Sequence, residues 1–203
     1  DDLEHIITSA RKARSCAVVG GGLSALEVAG AVSELGLQTH IVQAGNQLLS
    51  GHLDRAGSQV LLRRIRDVGV NVHLSKTLTE VRGESHVHGI VFDDGSSIDC
   101  DMLIISDGIG SRDELARQAG ITVGEQGGIE VNDRLQTSDP RIFAIGECVL
   151  HSGTKFGVTA PGYAMAETVA ANFCGDSRPF ESDDLSLKLR RLGVDVACFG
   201  QWE

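Results

Sequence analysis

A doubly wound α/β fold is what the 203-residue sequence predicts, and three observations predict it. The first is CAVVGGGLSALEVAGAVSEL over Cys16 to Leu35, a short apolar strand, a glycine turn and an amphipathic helix that opens at once. The second is that strand and helix patterns alternate at short spacing through Leu74, the order expected of a parallel sheet. The third is composition: 41% hydrophobic residues and 25 glycines suit a soluble α/β protein with many tight turns, and the length allows one core or one domain plus part of another.

Taken in order, Leu3, Ile6, Ile7 and Ala10 recur at helical spacing, so residues 2–13 read as a lead-in helix. After the glycine turn, Ser24 and Glu27 have the spacing of a capping box, and Gly36 is a C-terminal stop. Thr39 to Val42 is a second strand. Asp54 is an N-cap for a helix that buries Leu61, Ile65 and Val68 and solvates Arg55, Arg63, Arg64 and Arg66. Val70 to Leu74 is a third strand. Residues 77–82, 86–92 and 97–100 are short and alternating, and Asp94-Gly95 is a hairpin turn, so an antiparallel β-meander is expected. Met102 to Ile105 returns as a buried strand. Ser111 to Glu114 has a second capping-box pattern, opening a short helix that stops at Gly120. A small strand around Ile129 to Val131 precedes the turn Thr137 to Pro140. A buried strand over Ile142 to Ile145, the Gly146-Glu147 bend and a helix from about Tyr163 to Phe173 complete the pattern.

Gly20, Gly22 and Ala25 form G-x-G-x-x-A between strand and helix, the context in which that pattern makes an anion site for a dinucleotide pyrophosphate. Gly20 permits the tight turn, Gly22 lets the backbone approach the phosphates, and Ala25 lets helix pack on sheet. The candidate binding stretch is Gly20, Gly21, Gly22, Leu23, Ser24 and Ala25, with the helix N–H groups facing the anion. A glycine-rich turn with no ligand is the plainer reading of the same residues. At the other end of the chain, Gly146 and Glu147 close an apolar run at the carboxyl edge of a sheet, where ligands of α/β folds bind. Glu147 is either an acceptor for sugar-type hydroxyls or an exposed acid.

Composition excludes several classes. With 28 acidic against 18 basic residues the formal net charge is −10, which argues against nucleic acid and anionic membrane as partners. No apolar run approaches the ~20 residues needed to span a bilayer. The five cysteines, Cys16, Cys100, Cys148, Cys174 and Cys198, form no C-x-x-C pair, and a scattered odd set fits buried thiols in a reducing cytoplasm. His86 and His88 lie two apart on a presumed strand, but no third ligand accompanies them, so no metal site is expected. His151 reads as a loop histidine. Asp93-Asp94 and Asp183-Asp184 read as solvated acids, and no G-x-S-x-G elbow signals a serine nucleophile. No catalytic side chain is expected.

The run TSDPRIFAIGE, Thr137 to Glu147, resembles the second flavin motif of flavoproteins with two dinucleotide domains. With the upstream glycine turn and the meander it resembles the pyridine-nucleotide–disulfide oxidoreductase superfamily. Within that group the chain is similar to the FAD/NAD(P)H module of assimilatory nitrite reductase large subunits. Four stretches carry this likeness: Gly146-Glu147-Cys148, APGYAMA at Ala160 to Ala166, RDELARQAGI at Arg112 to Ile121, and LSLKLRRLGVDVACFG at Leu185 to Gly200.

The resemblance implies a Rossmann-like NAD(P)H-binding domain over 1–111, the returning half of a split FAD domain over 112–175, and the start of a following segment or linker over 176–203. It implies FAD and NAD(P)H as cofactors, with Gly20, Gly22 and Ala25 on the NAD(P)H pyrophosphate and Gly146 and Glu147 on FAD. Glu27 matches an acid near the flavin–nicotinamide contact, a role compatible with capping. Gln43 stands where an acid would bind the ribose 2′-hydroxyl of NAD, and no Arg in residues 43–47 would hold a 2′-phosphate, so neither NADH nor NADPH is selected.

Gly108 is the retained glycine of a strand end that closes over the nucleotide, whereas the Arg and Pro of that pattern are lost and Asp107 replaces an apolar residue. The implied activity is transfer of electrons from NAD(P)H through FAD to a downstream siroheme and iron–sulfur region, in nitrate assimilation. The alternatives are a flavin-free NAD(P)H-binding module, an inactive fragment, or a ferredoxin- or rubredoxin-type reductase. The chain starts at Asp1 without Met, after the expected first flavin half, so a fragment or processed form is expected. Its uncovered apolar surface would favour self-association, a homodimer included.

Overall fold

The computed structural model describes residues 2–108, 110–181, 187–189 and 191–198. They divide into two compact units, Asp1–Gly108 with Ser186–Glu203, and Ile109–Leu185.

The first unit begins with α1 (Asp2–Ala10), β1 (Ser15–Val19), α2 (Leu23–Glu34), β2 (Gln38–Gln43), α3 (Arg55–Asp67) and β3 (Asn71–Leu74). A meander of β4 (Leu78–Arg82), β5 (Gly89–Phe92) and β6 (Ser97–Asp99) leads to β7 (Met102–Ile105). The main sheet has the order β3-β2-β1-β7 and is parallel throughout, with Val19 paired to both Val42 and Ile105. Alternation along β1 sorts its side chains between two cores. Cys16 and Val18 pack with Ala25, Leu26, Ile41, Leu61 and Ile65 on the helical side. Ala17 packs with Val42, Ile90, Phe92 and Cys100 under the meander. Both faces of the sheet are therefore covered, which is why β1 and β2 are buried along nearly their whole length, Thr39 and His40 of β2 included.

The helix ends refine the expectations. Asp54 caps α3, its carboxylate accepting the Gly57 N–H at 2.7 Å. Val68 is the C-cap of that helix and is 47% exposed, where a buried residue was expected, because the helical face ends with Ile65. The Ser24–Glu27 capping box does not form. The helix starts at Leu23 behind the N-cap Gly22, so Ser24 already lies within the first turn. The Asp94-Gly95 hairpin is present, with Gly95 at φ +78°.

The second unit holds α4 (Glu114–Gln118), β8 (Ile129–Val131), β9 (Val149–His151), β10 (Thr154–Lys155) and α5 (Ala160–Phe173). Its sheet has the order β10-β9-β8, with β8 and β9 parallel. Leu135, Ala144, Val149, Phe156, Met165 and Phe180 form its core. The N-cap of α4 is Asp113, not Ser111; its carboxylate accepts the Gly128 N–H at 2.7 Å and the Arg117 Nε–H at 2.8 Å.

The strand expected over Ile142 to Ile145 is reduced to one bridge, between Gln136 and Phe143. The Thr137–Pro140 turn folds it back on the preceding residues, the Thr137 N–H donating to the Ile142 carbonyl at 2.9 Å. Ile142 and Ile145 are left 40% and 43% exposed.

The chain then returns to the first unit as the hairpin β11 (Leu187–Leu189) and β12 (Val196–Cys198). Leu189 and Leu192 are buried in the core of that unit, against the helical side of its sheet. Among the described residues no helix is long and apolar enough to cross a membrane.

Candidate functional site

The glycine turn joins β1 to α2 at the carboxyl edge of the parallel sheet. The Gly20 N–H donates to the Val42 carbonyl at 2.8 Å, and the residue sits at φ +130°. A Cβ there would lie 2.2 Å from the Ser106 carbonyl oxygen, so the turn closes against the end of β7 only because Gly20 has no side chain. At Gly21 a Cβ would meet the Gln43 side chain at 2.7 Å. Gly22 is different. It is extended, with φ −82° and ψ 178°, and a Cβ there would meet nothing within 4 Å. Open space thus lies beside the head of α2, whose first-turn N–H groups, at Leu23, Ser24 and Ala25, have no carbonyl of their own helix to bond. Those donors and the helix dipole suit an anion, and the cradle fits a dinucleotide pyrophosphate. Ala25 is fully buried and holds helix to sheet.

The tertiary structure brings Gln43, at the end of β2, onto Gly21 and Gly45. It also brings in the end of β7: the Ser106 N–H donates to the Val19 carbonyl at 2.8 Å, and Gly108 follows two residues on, exposed and at φ +99°. Glu27 lies one turn into α2. Its carboxylate is 3.3 Å from Nε of Arg191, whose Nη1 is 2.5 Å from Glu34. Arg191 is a contact that the sequence reading missed, since nothing in the spacing of Glu27 and Arg191 couples them.

In the second unit, Gly146 is at φ +88° and its N–H donates to Sδ of Met165 at 3.2 Å. Glu147 is exposed. Beside them is a cleft of about 490 Å³, lined also by Ile145, Val158, Thr159, Gly162 and Tyr163. A Cβ on Gly162 would be 3.4 Å from Cα of Gly146, so the head of α5 approaches the bend closely. The small residues of APGYAMA were the available signal for this lining.

The weaker candidates fall elsewhere. His86 and His88 are exposed and precede β5, outside any strand; His86 is held by the Ser85 hydroxyl. Among the described residues no group of three or more His, Cys, Asp or Glu side chains could hold a metal ion. His151 ends β9 and pairs with Asp133 at 3.0 Å. The Cys16 thiol is pushed up to about 12 by burial, and burial also raises Cys100 and Cys148, so these thiols stay protonated and unreactive.

Comparison with known proteins gives four findings. The family profile described as pyridine nucleotide-disulphide oxidoreductase matches residues 2–171. The chain is 46% identical over 200 residues to the nitrite reductase [NAD(P)H] large subunit of Klebsiella oxytoca, covering 98% of this chain and 21% of that protein. It is 30% identical to the rubredoxin-NAD(+) reductase of Pseudomonas putida, covering 96% and 53%. Among solved structures, a ferredoxin reductase from Rhodopseudomonas palustris superposes with a TM-score of 0.79 at 29% identity, covering 88% of this chain and 45% of that one. The chain thus spans about a fifth of the length of the nitrite reductase subunit it resembles.

Proposed function

The chain belongs to the pyridine nucleotide-disulphide oxidoreductase family, and from that premise we propose that it is the electron-input module of a NAD(P)H-dependent nitrite reductase. NAD(P)H would be the electron donor, and siroheme and iron–sulfur centres elsewhere in the assembly would be the acceptors. FAD, when bound, supplies the exchange between two-electron and one-electron chemistry. The chain itself binds and orients. Gly20, Gly21 and Gly22 with the N–H groups of Leu23, Ser24 and Ala25 take the nucleotide pyrophosphate, and Gln43 takes the adenosine ribose. Gly108 borders the nucleotide from the end of β7. Gly146 and Glu147 would hold FAD, with the exposed Glu147 carboxylate able to accept from ribitol hydroxyls. Glu27 is held by Arg191. The greater identity to the nitrite reductase subunit than to the rubredoxin reductase supports the former class of acceptor. The four free cysteines among the described residues support a cytoplasmic setting.

The observation that carries the nucleotide assignment is the contrast within the turn: Gly20 is closed against Ser106, while Gly22 opens on empty space. Titration of the purified chain with NADH and with NADPH, followed by nicotinamide fluorescence, tests it. Gly22→Glu should weaken binding by about tenfold or more, roughly 1.4 kcal/mol, with the melting temperature nearly unchanged. Equal affinity in the variant would remove the turn from the site. Visible flavin bands in the parent chain would support the FAD assignment; a colourless chain that binds NAD(P)H would favour the flavin-free binding module.

A further inference from the structure

The segment between β2 and α3 contains an anomaly next to the glycine turn. Leu49 is 1% exposed and adopts φ +51°, the left-handed region that a leucine occupies only under constraint. Its neighbour Leu48 is fully buried, and both belong to the core on the helical side of the sheet. Two hydrogen bonds hold the N–H groups of the pair, and the Leu49 carbonyl accepts from the His52 and Leu53 N–H groups at 2.8 Å each. The Leu48 N–H donates to the hydroxyl of Ser58, a buried residue of α3, at 3.0 Å. The Leu49 N–H donates to the Gly21 carbonyl at 2.8 Å. The left-handed φ of Leu49 follows its own N–H, so it lets that N–H face the glycine turn while the Leu49 carbonyl accepts from His52 and Leu53 and the side chain enters the core.

The second bond bears on the candidate site. A trans peptide points its C=O and its N–H in opposite directions. With the Gly21 carbonyl turned toward Leu49, the Gly22 N–H is turned away from this segment, to the open side of the turn. We infer that Leu49 is a positioning residue for the nucleotide site: its strained backbone, braced by Ser58, sets the Gly21–Gly22 peptide plane and so aims the Gly22 N–H at the bound pyrophosphate. The inference rests on the nucleotide reading above. Strain that persists in a buried leucine indicates surroundings that over-determine it, and such outliers gather where a backbone must be held for function. Left-handed glycine would be the ordinary solution here. Leucine at position 49 adds an anchor in the core beside that of Leu48, so the turn is held by packing as well as by hydrogen bonding.

Two substitutions separate positioning from mere stability. Leu49→Val keeps most of the apolar side chain, but a β-branched residue tolerates the left-handed region worst. Leu49→Gly loses the side chain altogether and adopts φ +51° freely. A purely structural role makes the valine variant the better of the two in both melting temperature and nucleotide affinity. The positioning role inverts one order: the glycine variant melts lower yet binds NADH within about threefold of the parent, while the valine variant binds about tenfold more weakly. Ser58→Ala supplies an independent arm through the brace and is expected to raise the NADH Kd about threefold or more at temperatures where the protein stays folded. Unchanged affinity in Ser58→Ala, or affinity that follows melting temperature across the Leu49 pair, would overturn the inference while leaving the nucleotide assignment in place. Absence of NADH and NADPH binding by the parent chain would overturn both.

Discussion

Replacement of Gly20 by alanine tests the geometry of the turn without reference to any ligand. The added Cβ would sit 2.2 Å from the Ser106 carbonyl oxygen and 3.1 Å from Cβ of Ala25. Ordinary non-bonded contacts are about 3.5 Å, so the turn and the end of β7 must separate by about 1 Å. That movement loosens two hydrogen bonds of 2.8 Å, Gly20 N–H to Val42 and Ser106 N–H to Val19. At about 1 kcal/mol each they contribute about 2 kcal/mol. Holding an L residue at φ +130° adds about 1–3 kcal/mol. The expected loss is therefore about 3–5 kcal/mol, which for a chain of this size lowers the melting temperature by about 10 °C. Differential scanning fluorimetry, checked by urea unfolding, measures it. The matched control is Gly22→Ala, which adds a methyl group where nothing lies within 4 Å and should melt within about 2 °C of the parent. Melting of Gly20→Ala within about 3 °C of the parent, or an equal loss at Gly22, would refute the reasoning.

Two further outcomes follow from other parts of the fold. The His40 Nδ1 and His73 Nε2 atoms are 3.1 Å apart between β2 and β3; burial holds both imidazoles below the usual histidine range, with His73 adding repulsion at His40, and Lys76 and Arg66 at His73. Because the folded state disfavours their charged forms, their contribution is fully present above pH 6.5 and drains as pH falls below it. The melting temperature should fall between pH 7 and pH 5, and an equal fall in the double variant His40→Gln/His73→Gln would count against this source. The carboxylates of Asp94, Asp101, Asp113 and Asp139, all lowered by hydrogen bonds, lose their contribution only below the ordinary carboxylate range and so titrate in a separate window. At Gly30, a Cβ would meet Cβ of Arg191 at 2.6 Å, so Gly30→Ala should displace the β11–β12 hairpin and speed its cleavage in limited proteolysis. Unchanged cleavage would show that the close approach of Arg191 to Gly30 does not hold the hairpin.

Much of the first unit was legible because its signals are local. Period-2 and period-3.6 patterns located β1, α2, β2 and α3, and Asp54 capped its helix as its side chain permits. The glycine turn was legible for the same reason: strand, Gly20 and helix are contiguous. The two capping boxes failed because the pattern records spacing and not where the helix begins. Gly22 and Asp113 took the N-cap places, and Asp113 found its acceptor role at Gly128, far along the chain. The strand over Ile142 to Ile145 failed because apolar content alone does not supply a ladder partner.

By itself, then, the sequence determined the order of the elements, the parallel sheet they imply and the glycine turn with its family likeness. All of these rest on neighbours within one helical turn or one strand, where spacing along the chain is spacing in space. The tertiary structure alone decided how the turn is held. Ser106 closes on Gly20, Gln43 lies over Gly21, Leu49 reaches the Gly21 carbonyl in a left-handed kink, and Arg191 returns from the far end of the chain to Glu27. Those contacts join residues remote in sequence, and no pattern along the chain encodes which carbonyl a buried N–H will meet once the core has closed.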